Sequence, residues 1–560
     1  MEEKPWIKKY DNGVLAHINY PEVPLHHFLR EAALRFPDRP CTIFNDTSIS
    51  FQNMDLLTDR LAAGLTGLGV NKGDRVGILM PNIPQFVMAF FATLKIGAVV
   101  IAFNLLYTTR EIEYQANDAG VEIFLVLDSL YQNVKEMQSG LRIRSFIVTD
   151  IGEAFDYTKS LGSDLDRKES DLHITKLEGG DMWMRDLILQ ADSKQPPTVI
   201  VGPDDVALFQ YSGGTTGISK GAIALHRNLV ANSLQFRQWM VTLADGEEIV
   251  LMAIPLFHVY GMVVGMSLAI VMSACMVMIP SSRDIQSILE NIQKYKATFF
   301  PGVPTLYNAI NNHPEVIAGK YDLRSLKACI SGSAPLRRET KEHFEALTGA
   351  KLFEGYGLSE APTATHCNPV LGENRTGSIG LPLPDVDCRI VSLEDEITPL
   401  PPGAIGELII KGPQVMQGYH HMPEETAQTL RNSWLYTGDI AWMDEDGYYY
   451  LVDRKKELIK PHGYQVWPRE VEEVIAENPK VLEVGAAGIP DEKRGEAVKA
   501  WVVLKPGITA TQEEIIQWCQ GKLAKYKIPT QVEFRPLLPK TTVGKILRRE
   551  LVRQHLEKTV

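Results

Sequence analysis

Apolar residues along the chain recur at two periods, and the alternation between them sets the first expectation about the fold. Near the start, Leu25, Phe28, Leu29, Ala32 and Phe36 fall on one helical face and stop at Pro37, the pattern of an amphipathic helix ended by a proline. A short apolar run, Arg75 to Met80, follows the Lys72-Gly73-Asp74 turn and reads as a strand. A helical pattern from Gln85 to Ile96 and a second strand-like run from Ala98 to Ala102 come next. The alternation continues with strands at Val121 to Leu127, Ile249 to Ile254, Ala274 to Ile279, Ala297 to Phe300 and Ala328 to Ile330, and a helix from Asp284 to Lys296. Strand and helix in regular succession predict parallel sheets with covering helices.

The texture breaks twice. Between about Asp150 and Pro203 the chain turns polar and ends in Gln195-Pro196-Pro197, which reads as an excursion between two sheet-building halves. After Leu451 a run of charges, Asp453 to Lys460, precedes a pattern of helix, strand, strand, helix, strand and helix. The expected fold class is therefore α/β: a large N-terminal domain of parallel-rich sheets with covering helices, plus a small C-terminal α+β domain. The expected boundaries are residues 1–452 and 458–560, joined by the charged stretch 453–457. From Ile254 to Ile279 no side chain is charged, long enough by count for a bilayer. Pro255, His258, Gly261 and Gly265 interrupt it, and it reads as strand end, helix and strand, all buried.

A chain of 560 residues exceeds what one hydrophobic core organises, so several packed units are expected. With 45% hydrophobic and 22% charged residues it lies among ordinary globular proteins. A net charge of -12 disfavours a nucleic-acid partner held through phosphates. The cysteines Cys41, Cys275, Cys329, Cys367, Cys388 and Cys519 have no CxxC pair or zinc spacing, and read as reduced, mostly buried thiols of a cytoplasmic protein. The start MEEKPWIKKYDNG lacks the apolar run of an export signal.

The most informative segment is Tyr211 to Gly221, YSGGTTGISKG, after the apolar run Val206 to Phe209. Its glycines, Gly213, Gly214 and Gly217 among them, let the backbone approach phosphate oxygens. Ser212, Thr215 and Thr216 offer hydroxyls, and Lys220 supplies a point charge. The Walker pattern fails in every register, because Ile218 and Ser219 precede Lys220 and Gly221 follows it. A P-loop kinase or ATPase is disfavoured accordingly.

At this loop the chain resembles the adenylate-forming superfamily of acyl-CoA synthetases, luciferases and peptide-synthetase adenylation domains, and further motifs follow in the family's order. Ser331-Gly332-Ser333-Ala334-Pro335 resembles the turn lying along adenine and the acyl pocket. Glu354 and Gly355-Tyr356-Gly357-Leu358-Ser359-Glu360 resemble the motif in which the aromatic ring stacks on adenine, the hydroxyl touches the α-phosphate and the glutamate holds Mg²⁺. The resemblance assigns the metal to Glu360 with Thr215. Gly406 to Tyr419 resembles a largely structural segment. Asp439 and Arg454 match the pair that hydrogen-bonds the ribose hydroxyls, and Lys456 the hinge. Lys460, Gly463 and Gln465 fall where the family forms its thioester site, and Lys545 where a lysine bridges the substrate carboxylate and the α-phosphate. His258, with Tyr260 and Gly332, matches the floor of the acyl pocket. Met262 stands where some long-chain members carry a gating tryptophan.

The resemblance implies catalysis by Lys545, Thr215, Glu360 and His258, with ATP, Mg²⁺ and coenzyme A as co-substrates and a mobile small domain. The product would be an acyl-CoA made through an acyl-adenylate. The fit is closest to medium- and long-chain fatty acyl-CoA ligases. An aryl acid remains the alternative, as does delivery of the adenylate to a separate carrier protein. A homodimer and peripheral contact with the inner face of a membrane stay open.

Overall fold

The structure, a computed structural model, describes residues 4–152, 175–191, 199–212, 219–491, 494–541 and 544–559. The chain divides into two compact units. The larger comprises Trp6–Asp387 and Lys411–Leu435; the smaller is built mainly from Cys388–Ile410 and Tyr436–Val560.

The larger unit contains two sheets. In the first, six strands run parallel in the order Pro40–Phe44, Cys275–Met278, Ile249–Met252, Phe299–Gly302, Ala328–Ser331 and Lys351–Gly357. Antiparallel strands Thr47–Ser50 at one edge and Ala364–Cys367 with Leu381–Pro382 at the other complete it. The second sheet also has six parallel strands, in the order Val206–Ser212, Val99–Ala102, Arg75–Leu79, Ile123–Leu127, Ser145–Thr149 and Met182–Trp183. Antiparallel Lys220–Leu225 and Gly418–Tyr419 follow beside Val206–Ser212.

Local chemistry explains the element ends. The helix Pro84–Lys95 starts with proline at its first position, where no backbone donor is needed, and all twelve of its residues are buried. Its terminal Lys95 stays buried because Asp55 and Asp59 accept from its ammonium at 2.6 and 2.7 Å and Thr58 at 2.7 Å. The helix Thr109–Ala119 opens with a reciprocal Thr108–Glu111 capping box and closes at Gly120, whose φ of +67° suits glycine.

The uncharged run from Ile254 to Ile279 holds a π-helical segment, Tyr260–Ser267, continuing into the α-helix Leu268–Val271 between two strands. Among the described residues no helix is long and apolar enough to cross a membrane. The supposed excursion after Asp150 is partly regular: Met182–Trp183 joins the second sheet and Met184–Gln190 is helical, while residues 153–174 and 192–198 lie outside the described residues.

The smaller unit has two parts. Strands Gly406–Lys411, Trp434–Met443 and Tyr449–Arg454, the last two antiparallel, belong to a sheet that the apolar pattern did not announce. The α+β part follows the expected order: helix Pro468–Ala476, strands Val481–Asp491 and Gly495–Leu504, helix Gln512–Cys519, strand Gln531–Phe534 and helix Arg548–Thr559. The smaller unit thus takes in Asp439 as well as Arg454, and residues 453–457 lie inside it.

Candidate active site

In the larger unit the predicted residues gather at the carboxyl ends of neighbouring parallel strands of the first sheet, the edge where open α/β sheets bind ligands. Gly302, Ser331 and Glu354 stand opposite one another in register, so the turn Gly332–Pro335 leaves the sheet beside the motif Gly355–Gly357, which runs on to pair with Ala364–Cys367. Ser333 takes a left-handed φ of +69° in that turn. Gly357 has no room for a Cβ, which would lie 1.6 Å from the Thr363 carbonyl oxygen. The ring of Tyr356 meets His366 edge-on at 5.8 Å. Ser359 and Glu360 form the turn that follows.

The loop after Ile249–Met252 brings His258 and Tyr260 to the same edge. The Tyr260 hydroxyl lies 2.9 Å from the Ile330 carbonyl and 3.0 Å from that of Gly302, and a Cβ on Gly332 would touch the Tyr260 ring at 3.3 Å. His258 Nδ1 accepts the Tyr260 amide at 3.2 Å, so the proton of the neutral ring sits on Nε2. Desolvation pushes its pKa down to about 4, and the imidazole is neutral at physiological pH. Such a ring positions a ligand as a donor and carries no charge.

Lys220 follows the phosphate-type loop. Ser212 and Lys220 are cross-strand partners in two antiparallel strands. Gly213, Gly214, Thr215, Thr216 and Gly217 lie outside the described residues, as does the side chain of Ser212. The Lys220 ammonium is bonded to Glu425 and sits 5.3 Å from the Tyr419 ring centroid. Tyr419 donates to Glu360 Oε1 at 2.8 Å, and the Met416 amide donates to the Glu360 carbonyl at 2.8 Å. Burial, and then the charge of Glu360, raise the Tyr419 phenol well above its ordinary range. Lys220 and Glu360 therefore belong to one cluster, with Tyr419 between them.

Four residues were given no site role by the motif reading. Tyr419 and Glu425 are two. The third is Asn82, whose amide donates to the Met252 and Ile254 carbonyls at 2.8 and 2.9 Å and accepts the Leu256 amide at 2.8 Å, fixing the loop ahead of His258. Its signal is a polar side chain between Pro81 and Ile83 in an otherwise apolar run. Asn232, the fourth, does similar work behind Tyr356, accepting the Thr363 and Ala364 amides at 2.8 and 3.1 Å.

In the smaller unit, Asp439 and Arg454 are cross-strand partners joined at 2.7 Å. An acceptor and a donor held at one level of a sheet suit a diol. Desolvation of the Lys545 ammonium, and then the charge of Arg454, hold it below the ordinary lysine range. Lys456 is exposed in the turn Lys455–Glu457, beside Lys455, which pairs with Glu396 and Glu407 at 2.6 Å each. The Lys460 amide donates to Glu496 at 2.6 Å, Gly463 ends the turn Pro461–Gly463, and Gln465 is exposed.

Comparison with known proteins places this geometry. Residues 29–420 match the AMP-binding enzyme family and residues 470–545 match the AMP-binding enzyme C-terminal domain. The chain is 41% identical over 559 residues to a long-chain-fatty-acid–CoA ligase of Bacillus subtilis, covering 99% of each chain. It is 32% identical to a 4-coumarate–CoA ligase of Vanilla planifolia, covering 94% of this chain and 93% of that one. The crystal structure of ATP-bound MatB from Rhodopseudomonas palustris superposes with a TM-score of 0.84 at 28% identity, covering 96% of this chain and all of that one. With a family model spanning most of its length and a relative this similar from end to end, the chain belongs to the AMP-binding enzyme family.

Proposed function

We infer that the protein is an ATP-dependent acyl-CoA ligase that converts a medium- to long-chain fatty acid to its adenylate and transfers the acyl group to coenzyme A, releasing AMP and pyrophosphate. The observation that carries this reading is the gathering of Gly332–Pro335, Glu354–Gly357, His258 and Tyr260 at one edge of one sheet. The similarity to a relative named for long-chain fatty acids supports the choice of acid.

In this reading Tyr356 and the Gly332–Pro335 turn hold adenine, Ser359 and the hydroxyls of the Ser212–Gly217 loop hold phosphate, and Asp439 with Arg454 takes the ribose. Lys220 leaves Glu425 for the phosphate chain. His258 and Tyr260 line the acyl pocket. Lys545 neutralises charge on the carboxylate and α-phosphate in the first half-reaction. Lys456 serves as the pivot, and Lys460, Gly463 and Gln465 serve the thioester step. Glu360, with Thr215, is the residue to hold Mg²⁺. A single carboxylate beside a phosphate site fits an ion bound through one or two protein oxygens plus substrate phosphates. When bound, that ion would neutralise phosphate charge.

The test is a product assay with MgATP, fatty acids of graded length and cinnamate-type acids, with and without coenzyme A. Acyl-CoA, AMP and pyrophosphate appearing together support the ligase. Preference for the aromatic acids moves the substrate to the aryl class. Adenylate that accumulates and ignores coenzyme A moves the function to carrier loading, and ADP as product overturns the reading.

A further inference from the structure

Lys545 sits in a turn that closes on itself. Its amide donates to Thr541 Oγ at 3.1 Å and its carbonyl accepts the Thr541 amide at 2.8 Å, ties that shape the turn, and the next residue, Ile546, packs against the core of the tail. Three residues later the C-terminal helix begins with Arg548, whose side chain is only 15% exposed. Its guanidinium grips Glu472 with both arms of a fork, Nε to Oε1 at 2.8 Å and Nη2 to Oε2 at 2.6 Å. Nη1 donates to Asp453 Oδ1 at 2.8 Å and to Glu457.

The three carboxylates come from different elements: Asp453 from the strand that ends at Arg454, Glu457 from the turn after it, and Glu472 from the helix Pro468–Ala476. Asp453 is itself anchored, accepting the Arg454 and Arg469 amides at 2.8 and 2.7 Å, and Glu472 accepts the Ala486 amide at 2.7 Å. Only a planar guanidinium can serve three carboxylates in these directions at once. One cation here opposes three anions, so its loss would leave neighbouring like charges that drive the elements apart.

We propose that Arg548 is the positioning residue for Lys545, clamping the start of the C-terminal helix to Asp453 and Glu457 so that the Lys545 turn is presented beside the Asp439–Arg454 pair for adenylate formation. This rests on the function proposed above. The clamp serves the half-reaction that uses Lys545 and is not needed for the other.

The experiment measures the two half-reactions separately in the full-length enzyme: acid-dependent exchange of pyrophosphate into ATP, and thioester formation from supplied acyl-adenylate and coenzyme A. Arg548→Gln should slow exchange by about 100-fold, the scale of a misplaced catalytic group, and thioester formation by less than about threefold. Arg548→Lys, keeping charge without the fork, should fall between. Glu457→Gln leaves the grip on Glu472 and Asp453 intact, so it keeps the fold if Arg548→Gln does not, and should slow exchange alone by about tenfold, the loss of one charge-assisted hydrogen bond. Equal loss of both half-reactions, or normal exchange in the Glu457 variant, overturns the clamp. A wild-type enzyme with no acid-dependent exchange removes the proposed function and the clamp's role with it, an outcome distinct from a variant-specific failure.

Discussion

Tyr419 joins the second sheet to Glu360 through one hydroxyl, and the bond is absent from any motif because donor and acceptor are 59 residues apart. Tyr419→Phe keeps the ring under Lys220 and removes the hydroxyl that donates to the carboxylate. A hydrogen bond to a charged group contributes about 1.5–3 kcal/mol, so the KM for MgATP should rise roughly tenfold while the KM for the acid stays within twofold. Equal KM values for both substrates in mutant and wild type would remove Tyr419 from the site. Glu360 and Lys220 were legible in the sequence because their chemistry is local, a carboxylate and an ammonium beside glycine-rich turns. Tyr419 was not, because a tyrosine in a strand is ordinary until its partner is known.

The loop between Met252 and His258 shows how one side chain substitutes for secondary structure. It follows a strand and precedes the π-helical segment, and its carbonyls and amide find their partners on Asn82. Gly261 closes the same corner, since a Cβ there would lie 2.4 Å from the Pro255 carbonyl oxygen. Asn82→Ala would remove the Asn82 partner of the buried Ile254 carbonyl and Leu256 amide, at about 1–3 kcal/mol for each one left unsatisfied, while the Met252 carbonyl keeps the Ile279 amide at 3.2 Å. Chemical denaturation should show a loss of about 3 kcal/mol, and the KM for the acid should rise severalfold as His258 loses its seat. A variant with wild-type stability and unchanged KM would show that water replaces the amide at no cost. The strands on either side were readable from their apolar runs to within a residue or two. The strands between Gly406 and Arg454 were not, because their apolar residues are spaced by sheet pairing.

Across the whole chain, burial of neutral histidine sets an acid limit on stability. His226 and His366 are fully buried, and desolvation lowers their pKa values to about 4 and about 3. Because the folded values lie below the unfolded value near 6.5, the unfolded chain binds these protons first. Stability is full above about pH 6.5 and is lost as pH falls toward 4, by up to about 1.4 kcal/mol per pH unit for each ring. Glu533, held down to about 2, adds its own loss only below its unfolded value of 4.5. The thermal midpoint should therefore fall between pH 7 and pH 5, before carboxylates titrate; a flat profile over that interval would contradict it.

The strand and helix alternation of the two parallel sheets and the order of the α+β tail follow largely from the sequence alone, because periodicity and capping act over a few residues. Which strands are neighbours, the register that sets Gly302, Ser331 and Glu354 opposite one another, and the clusters around Tyr419, Asn82 and Arg548 were settled by the fold. Each joins groups tens to hundreds of residues apart, and such contacts exist only after the sheets have packed and buried them.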